Sequence, residues 1–473
     1  MTTVIYWFRN DLRLLDNPAL TQACNAATQL LPVYVHDPDF DRAAMTRWGF
    51  VRTGPHRRDF LAAGLADLAG HLAARGSCLL ELHGRAQDVL PALAHSIDSR
   101  HIVCEAISAP QEEAAVAALR AGGMVVDTVW QSSMLEPALL PFDARQLPDV
   151  FTAFRHAVEQ AMLVPLPPSP VPQALLQSLW KTTTPNATHG ATHGVPQTVP
   201  TCLHNRLTAL SIGSTAFGPA NPAPGNKKPV LPTLVADPRS SFPYHLATFA
   251  GGETAGLKHL ARYFESNLVT TYKATRNGLS GTDYSSKFSP WLASGALSAR
   301  TVYAALKQYE ARHGANDGTY WLWFELLWRD YFRLLHLQHG RNLYGQRGLA
   351  PQHLPLPQTT HKAGAFTRWC QGETGEALVD AGMRELAATG YLSNRLRQVV
   401  ASFLIHDLAC DWRAGAAWFE SQLIDYDVYS NQGNWLYIAG RGTDPRGGRR
   451  FNPQKQARDY DPDGKYRELW QST

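Results

Sequence analysis

No apolar run in this 473-residue chain approaches the roughly 18 residues that cross a membrane, so a membrane protein is not expected. The opening MTTVIYWFRNDLRL has no basic segment leading into a long apolar one, and no signal peptide is expected. Cysteine is sparse. The six, at positions 24, 78, 104, 202, 370 and 410, form no C-x-x-C pair, which excludes a disulfide framework and a zinc site. A soluble protein of the reducing cytoplasm is expected, without metal. No G-x-G-x-x-G follows the first candidate strand and no P-loop occurs, so the first half offers no support for dinucleotide or triphosphate binding. Net charge is only +4. From Arg239 onward 27 Lys and Arg stand against 21 Asp and Glu, which leaves the rest of the chain slightly acidic. That imbalance suits ordinary surface charge as well as a polyanionic partner.

What is present divides in three. Residues 1–164 alternate short apolar runs (3–8, 31–36, 78–82, 101–105, 124–129) with helical patterns such as 57–75 and 111–123. Near-continuous apolar strands are buried on both faces, and strands alternating with helices predict a doubly wound parallel α/β sheet. Residues 165–240 are rich in proline and small polar residues and read as a linker. Their tandem ATHGATHG brings His189 and His193 together, a spacer repeat rather than a metal site. After 241 the pattern is helical, with segments at 254–268, 299–314, 320–340 and 394–412, and an all-α domain over 241–473 is predicted.

Four stretches carry chemistry. In YWLWFELLWRDYFRLL, helical spacing puts Trp321, Glu325, Trp328, Arg329 and Phe332 on one side. That face fits an ordinary Glu–Arg pair on a core helix, or a planar heteroaromatic ligand needing rings to stack on and a carboxylate for ring N–H groups. In DYSSKFSPW, Ser285, Ser286, Lys287, Phe288 and Ser289 lead into a helix, with Tyr272 and Arg276 upstream. Hydroxyls, a cation and free N–H groups at a helix start form a phosphate cradle, or simply a serine cap. In GYLSNRLRQ, Ser393 or Asn394 caps a helix whose Arg395 and Arg397 point to different faces. An arginine at a helix start is disfavoured by the macrodipole and calls for an acidic partner or an anionic ligand. Finally, DYDVYSNQGNW crowds Asp425, Asp427, Asn431 and Trp435 together.

WFRNDLRLLDNPAL, DYSSKFSPWLASGALS, FELLWRDYFR, SNRLRQ, DWRAGAAWFE and DYDVYSNQGNW, followed by DPRGGRRFNPQKQARDYDPDGKY, resemble the photolyase/cryptochrome family, and that last block is most similar to its DASH type. The resemblance spans both halves and skips only the linker. It implies FAD, bent inside the helical domain. Tyr272 and Ser285–Ser289 then match phosphate and ribose contacts, and Asp425 and Asp427 match acids beside the isoalloxazine ring. Arg397 matches the arginine paired with Asp425, and Asn431 the residue facing flavin N5. Arg329 joins them as a candidate cofactor contact on the aromatic helix. Glu325, Trp328, Asn394, Arg395 and Tyr437 match positions facing a flipped-out pyrimidine dimer, with Arg276 a phosphate contact. Trp412 and Trp435 match the inner pair of an electron-transfer chain. The implied activity is light-driven splitting of cyclobutane dimers by an electron from reduced FAD, and the rival reading is a blue-light photoreceptor with a protein partner. A monomer is expected.

The pattern is not followed everywhere. Tyr437 stands where many duplex-repairing relatives have Trp, which fits a preference for single-stranded DNA, where flipping a base costs little. No His pair occurs at Ser393–Asn394, so (6-4) repair is not expected. The outer Trp is missing near Thr359: either Trp369 in the next helix or a Tyr stands in for it, or light-driven flavin reduction is impaired. The long 165–240 insertion has no assigned role. An antenna pigment is expected in the first domain, with 5,10-methenyltetrahydrofolate the candidate and Glu113, beside Glu112, its contact. The first turn of a helix favours such acids in any case. An apolar pocket is expected to raise the Glu325 pKa.

Overall fold

The computed structural model describes residues 2–38, 47–172, 236–353, 356, 364–444 and 447–471. His189, His193 and Thr359 lie outside the described residues.

Five parallel strands form one sheet: β1 (Thr3–Phe8), β2 (Gln29–His36), β3 (Leu80–His83), β4 (His101–Glu105) and β5 (Val125–Val129), in the order β3-β2-β1-β4-β5. β1 is central, with Tyr6 against Pro32 on one side and Val103 on the other. All of Val4–Phe8 is buried, as its unbroken apolar character predicts. Helices Pro18–Ala26, Pro55–Ala73, Ala86–Ser96 and Pro110–Ala121 connect the strands. The fold class is therefore the one predicted.

Between Glu253 and Leu469 the described elements are all helices. The 23-residue helix Asp317–His339 runs along helix Leu268–Thr275, and helix Val428–Ala439 packs on it as well. One predicted helix is two. Residues 394–412 form helix Asn394–Ser402, a π turn at Phe403–Asp407 and a break at Ala409, whose φ is +51°. Asp411 then caps the helix starting at Trp412. Apolar periodicity continues through the break, so the pattern concealed it.

Buried polar contacts join the halves. Asp16, fully buried, accepts from Arg300 Nη2 at 2.8 Å and from Ser298 Oγ at 2.5 Å. Glu253 accepts from the Leu14 and Leu15 N–H groups, and Asp330 from those of Met134 and Leu135. Gly295, at φ +70°, lies so close to the Asn10 carbonyl that a Cβ would fall 1.8 Å from it. Helix Phe151–Gln160 packs on Asp317–His339, and Ser169, at the edge of the expected linker, exchanges main-chain and side-chain bonds with Asp16.

Candidate active site

Asp427 caps helix Val428–Ala439 by accepting from Ser430 N–H. Its carboxylate also pairs with Arg333, which is 2 % exposed. Burial alone pushes such a carboxyl up; Arg333 and Arg329 outweigh it and hold Asp427 down to about 2. Two residues earlier, Arg397 Nη2 reaches both oxygens of buried Asp425, at 3.0 and 2.8 Å. This is the predicted pair, and it answers the macrodipole problem of an arginine near a helix start. Ser393 is the cap of that helix. Asn431 Nδ2 donates to Ala416 O at 3.1 Å. Asn394, Arg397, Asp425, Asp427, Asn431 and Trp435 line one cavity.

Lys287 faces this group of charges. It adopts φ +57°, is buried, and its Nζ lies 3.4 Å above the Tyr284 ring and 4.9 Å from Tyr391. Nζ has no hydrogen-bond partner. Burial drives its pKa well below the usual lysine value, only partly offset by Glu385, Asp283 and Asp425. An orphaned buried amine against Tyr284 and Tyr391, near the Arg397–Asp425 pair, fits a polar, anionic cofactor such as FAD. The serines do not cap the next helix, whose start is Phe288 without a side-chain cap. The Phe288 ring packs in the core on Tyr263 and His259, so only its main chain is available to a ligand. Ser289 is exposed, and the Ser286 carbonyl contacts His259 Nε2.

Arg329 does not pair with Glu325. Its guanidinium donates to the carbonyls of Ser132 and Leu292, at the junction of the halves. Four residues turn a helix by about 400°, so 325 and 329 are offset by about 40°, and a long arginine swings to carbonyls that burial would leave unpaired. Glu325 instead pairs with Arg276, whose guanidinium lies 4.5 Å above Trp321. Burial raises the Glu325 pKa against the pull of Arg276, the direction expected. Trp328 stacks on Phe151 at 3.7 Å and meets Tyr437 edge-on at 6.2 Å. Trp328 and Tyr437 line a largely apolar cavity of about 350 Å³. The residues expected to face a flipped base thus do not form one wall. Trp328 and Tyr437 lie on one flank of helix Val428–Ala439, the cavity with Asn394 lies on the other, and Arg276 and Glu325 pair with each other. Arg395 is held by Asn277 Oδ1 at 2.9 Å.

The rings packed on Trp435 are Phe419 at 5.1 Å and Trp369 at 6.5 Å. Trp412, the expected neighbour, instead donates to Gln346 O. Glu113 is exposed on the first turn of helix Pro110–Ala121. Glu112 is half-buried and acts electrostatically on Arg52, Tyr344 and Tyr426. Arg333 and Lys287's aromatic neighbours Tyr284 and Tyr391 escaped the sequence reading. For Arg333 the R-x-x-x-R spacing was visible, but its partner lies 94 residues away.

No helix of the described residues is long and apolar enough to cross a membrane, and no group of three or more potential metal ligands occurs among them. Residues 4–173 match the DNA photolyase family, and residues 321–472 the FAD binding domain of DNA photolyase. The chain is 42% identical to a cryptochrome DASH of Gloeobacter violaceus, over 99% of this chain and 85% of that protein. It is 41% identical to a cryptochrome DASH of Xenopus laevis, over 99% and 82%. A crystal structure of a Synechocystis cryptochrome superposes with a TM-score of 0.82 at 40% identity, covering 99% of this chain and 88% of that one. With the α/β sheet, the helical half and a charged pocket suited to FAD, the chain belongs to the photolyase/cryptochrome family, and FAD is its cofactor.

Proposed function

We propose that this protein is a light-dependent lyase that splits cyclobutane pyrimidine dimers, preferring single-stranded DNA. The observation that carries the reading is Glu325: a largely buried carboxyl with a raised pKa, salt-bridged to Arg276 and backed by Trp321. When bound, reduced FAD supplies the light-driven electron that splits the cyclobutane ring. Glu325, protonated for more of its working range than an ordinary glutamate, donates a hydrogen bond to a pyrimidine carbonyl. Arg276 neutralises the carboxylate form and, freed from it, meets a DNA phosphate. Trp328 and Tyr437 offer rings to a flipped dimer. Tyr437 gives less stacking area than Trp, which favours strands where flipping is cheap. Arg397, Asp425, Asp427 and Asn431 orient the flavin, and Tyr272, Ser285, Ser286, Lys287, Phe288 and Ser289 its phosphates and ribose.

The protein acts as a monomer in the cytoplasm. A folate antenna sits against the first domain at Glu113, with Glu112 beside it. Blue-light irradiation of a dimer-containing single-stranded oligonucleotide tests the reading. Restored thymines are expected. Binding without splitting, with the flavin chemically reduced, would overturn repair and leave the photoreceptor reading.

A further inference from the structure

The order of the sheet reverses between β1 and β4, and open parallel sheets bind ligands outside the carboxyl ends of their strands at such a point. Here the helical half closes the crevice. What remains is a cavity of about 10 Å³, lined among others by Asn10, Glu105, Gln131, Arg333, Asp427 and Tyr429. That is room for about one water. Glu105 ends β4 and is 1 % exposed, and its Oε2 has no hydrogen-bond partner. Arg333 Nε is equally buried and unpartnered, although the other two nitrogens of that guanidinium hold Asp427 and the Arg329 carbonyl. Two orphaned, complementary groups lining one water-sized polar cavity call for a bridge.

We propose that one ordered water in this cavity joins the Glu105 carboxyl to Arg333 Nε, making Glu105 a positioning residue that holds Asp427 through Arg333. The inference rests on the placement of Asp427 beside the flavin. Glu105 is faced by Asp11, Arg9 and Arg13 from the segment after β1 and by Cys104 on its own strand. Arg329 and Arg333 of helix Asp317–His339 and Tyr429 and Asp427 at the start of helix Val428–Ala439 complete its surroundings. Asp11 is already engaged by Tyr6 and Gln131, so it is not free to take the bridging role. Burial, with Asp11 adding to it, pushes Glu105 up to about 8 against the pull of the arginines. The Glu105 carboxyl is therefore held towards its protonated form. Above about 8 a carboxylate competes with Asp427 for the same guanidinium.

The test is a pH titration of the FAD-loaded protein across 8, following flavin absorbance and reduction potential, in wild type and Glu105→Gln. Glutamine keeps the shape and the neutral charge, so folding and FAD content are expected to survive. Wild type is expected to show an inflection near pH 8 that Glu105→Gln lacks, and a crystal structure is expected to show the bridging water. A profile without the inflection, or one that persists in Glu105→Gln, overturns the proposal. Asp427→Asn separates the two readings. If it leaves flavin spectrum, affinity and potential unchanged, the placement of Asp427 fails. If it shifts them while Glu105→Gln has no effect, the bridge alone fails.

Discussion

Arg276, at the end of helix Leu268–Thr275, forms a salt bridge with Glu325 in the middle of helix Asp317–His339, and Trp321, one turn earlier, lies beneath the arginine. The pair ties together two helices that pack along their length. Glu325→Ala is expected to keep FAD bound and to reduce dimer splitting roughly two- to tenfold, the worth of one neutral hydrogen bond. Splitting per absorbed photon measures the loss, and flavin absorbance measures retention. Apoprotein would instead show that Glu325 supports the cofactor.

Asp16 and Arg300 join the two halves with side chains 0% and 6% exposed. Removing one partner of a buried pair leaves an uncompensated charge, a cost of about 3–5 kcal/mol. Asp16→Ala is expected to lower the urea midpoint by that measure and to split the unfolding transition into two. A single unshifted transition would mean that the remaining contacts carry the junction.

Glu385 is fully buried, accepts from Tyr466 and Ser241, and is pushed by burial up to about 7. A raised carboxyl contributes stability below its unfolded pKa near 4.5, and the contribution is lost as pH rises towards 7. Stability is expected to decline across that window, and Glu385→Gln is expected to flatten the decline. Parallel denaturation curves of both proteins at several pH values check the sign.

Trp369 is fully buried, meets Trp435 at 6.5 Å and lies 6.0 Å from Phe366. With no Trp near Thr359, it is the indole placed to pass an electron to Trp435. Trp369→Phe is expected to slow light-driven flavin reduction severalfold, and more than Trp412→Phe does. Time-resolved absorbance of the flavin under blue light gives both rates, and the reverse order would return Trp412 to the role.

Much was legible in local pattern. Strands such as Thr3–Phe8 and His101–Glu105 agree with their apolar runs, because a strand buried on both faces must be apolar throughout. The Arg397–Asp425 pair was legible through resemblance and through the electrostatic demand of an arginine at a helix start. Asp427 was visible as an acid near the ring, but not its attachment to Arg333.

The sequence by itself determined the alternating α/β half, the helical half and the family, since these rest on periodicity and on motifs a few residues long. Only the tertiary structure decided which arginine serves which acid. Arg329 turned to two carbonyls at the junction, Arg333 took Asp427, and Arg276 took Glu325. It also decided that Glu105 would be sealed beneath Arg333, and that Trp369 rather than Trp412 would meet Trp435. Long side chains can swing between several partners at similar cost. Which one they meet is set by packing between segments tens to hundreds of residues apart, and no local pattern records it.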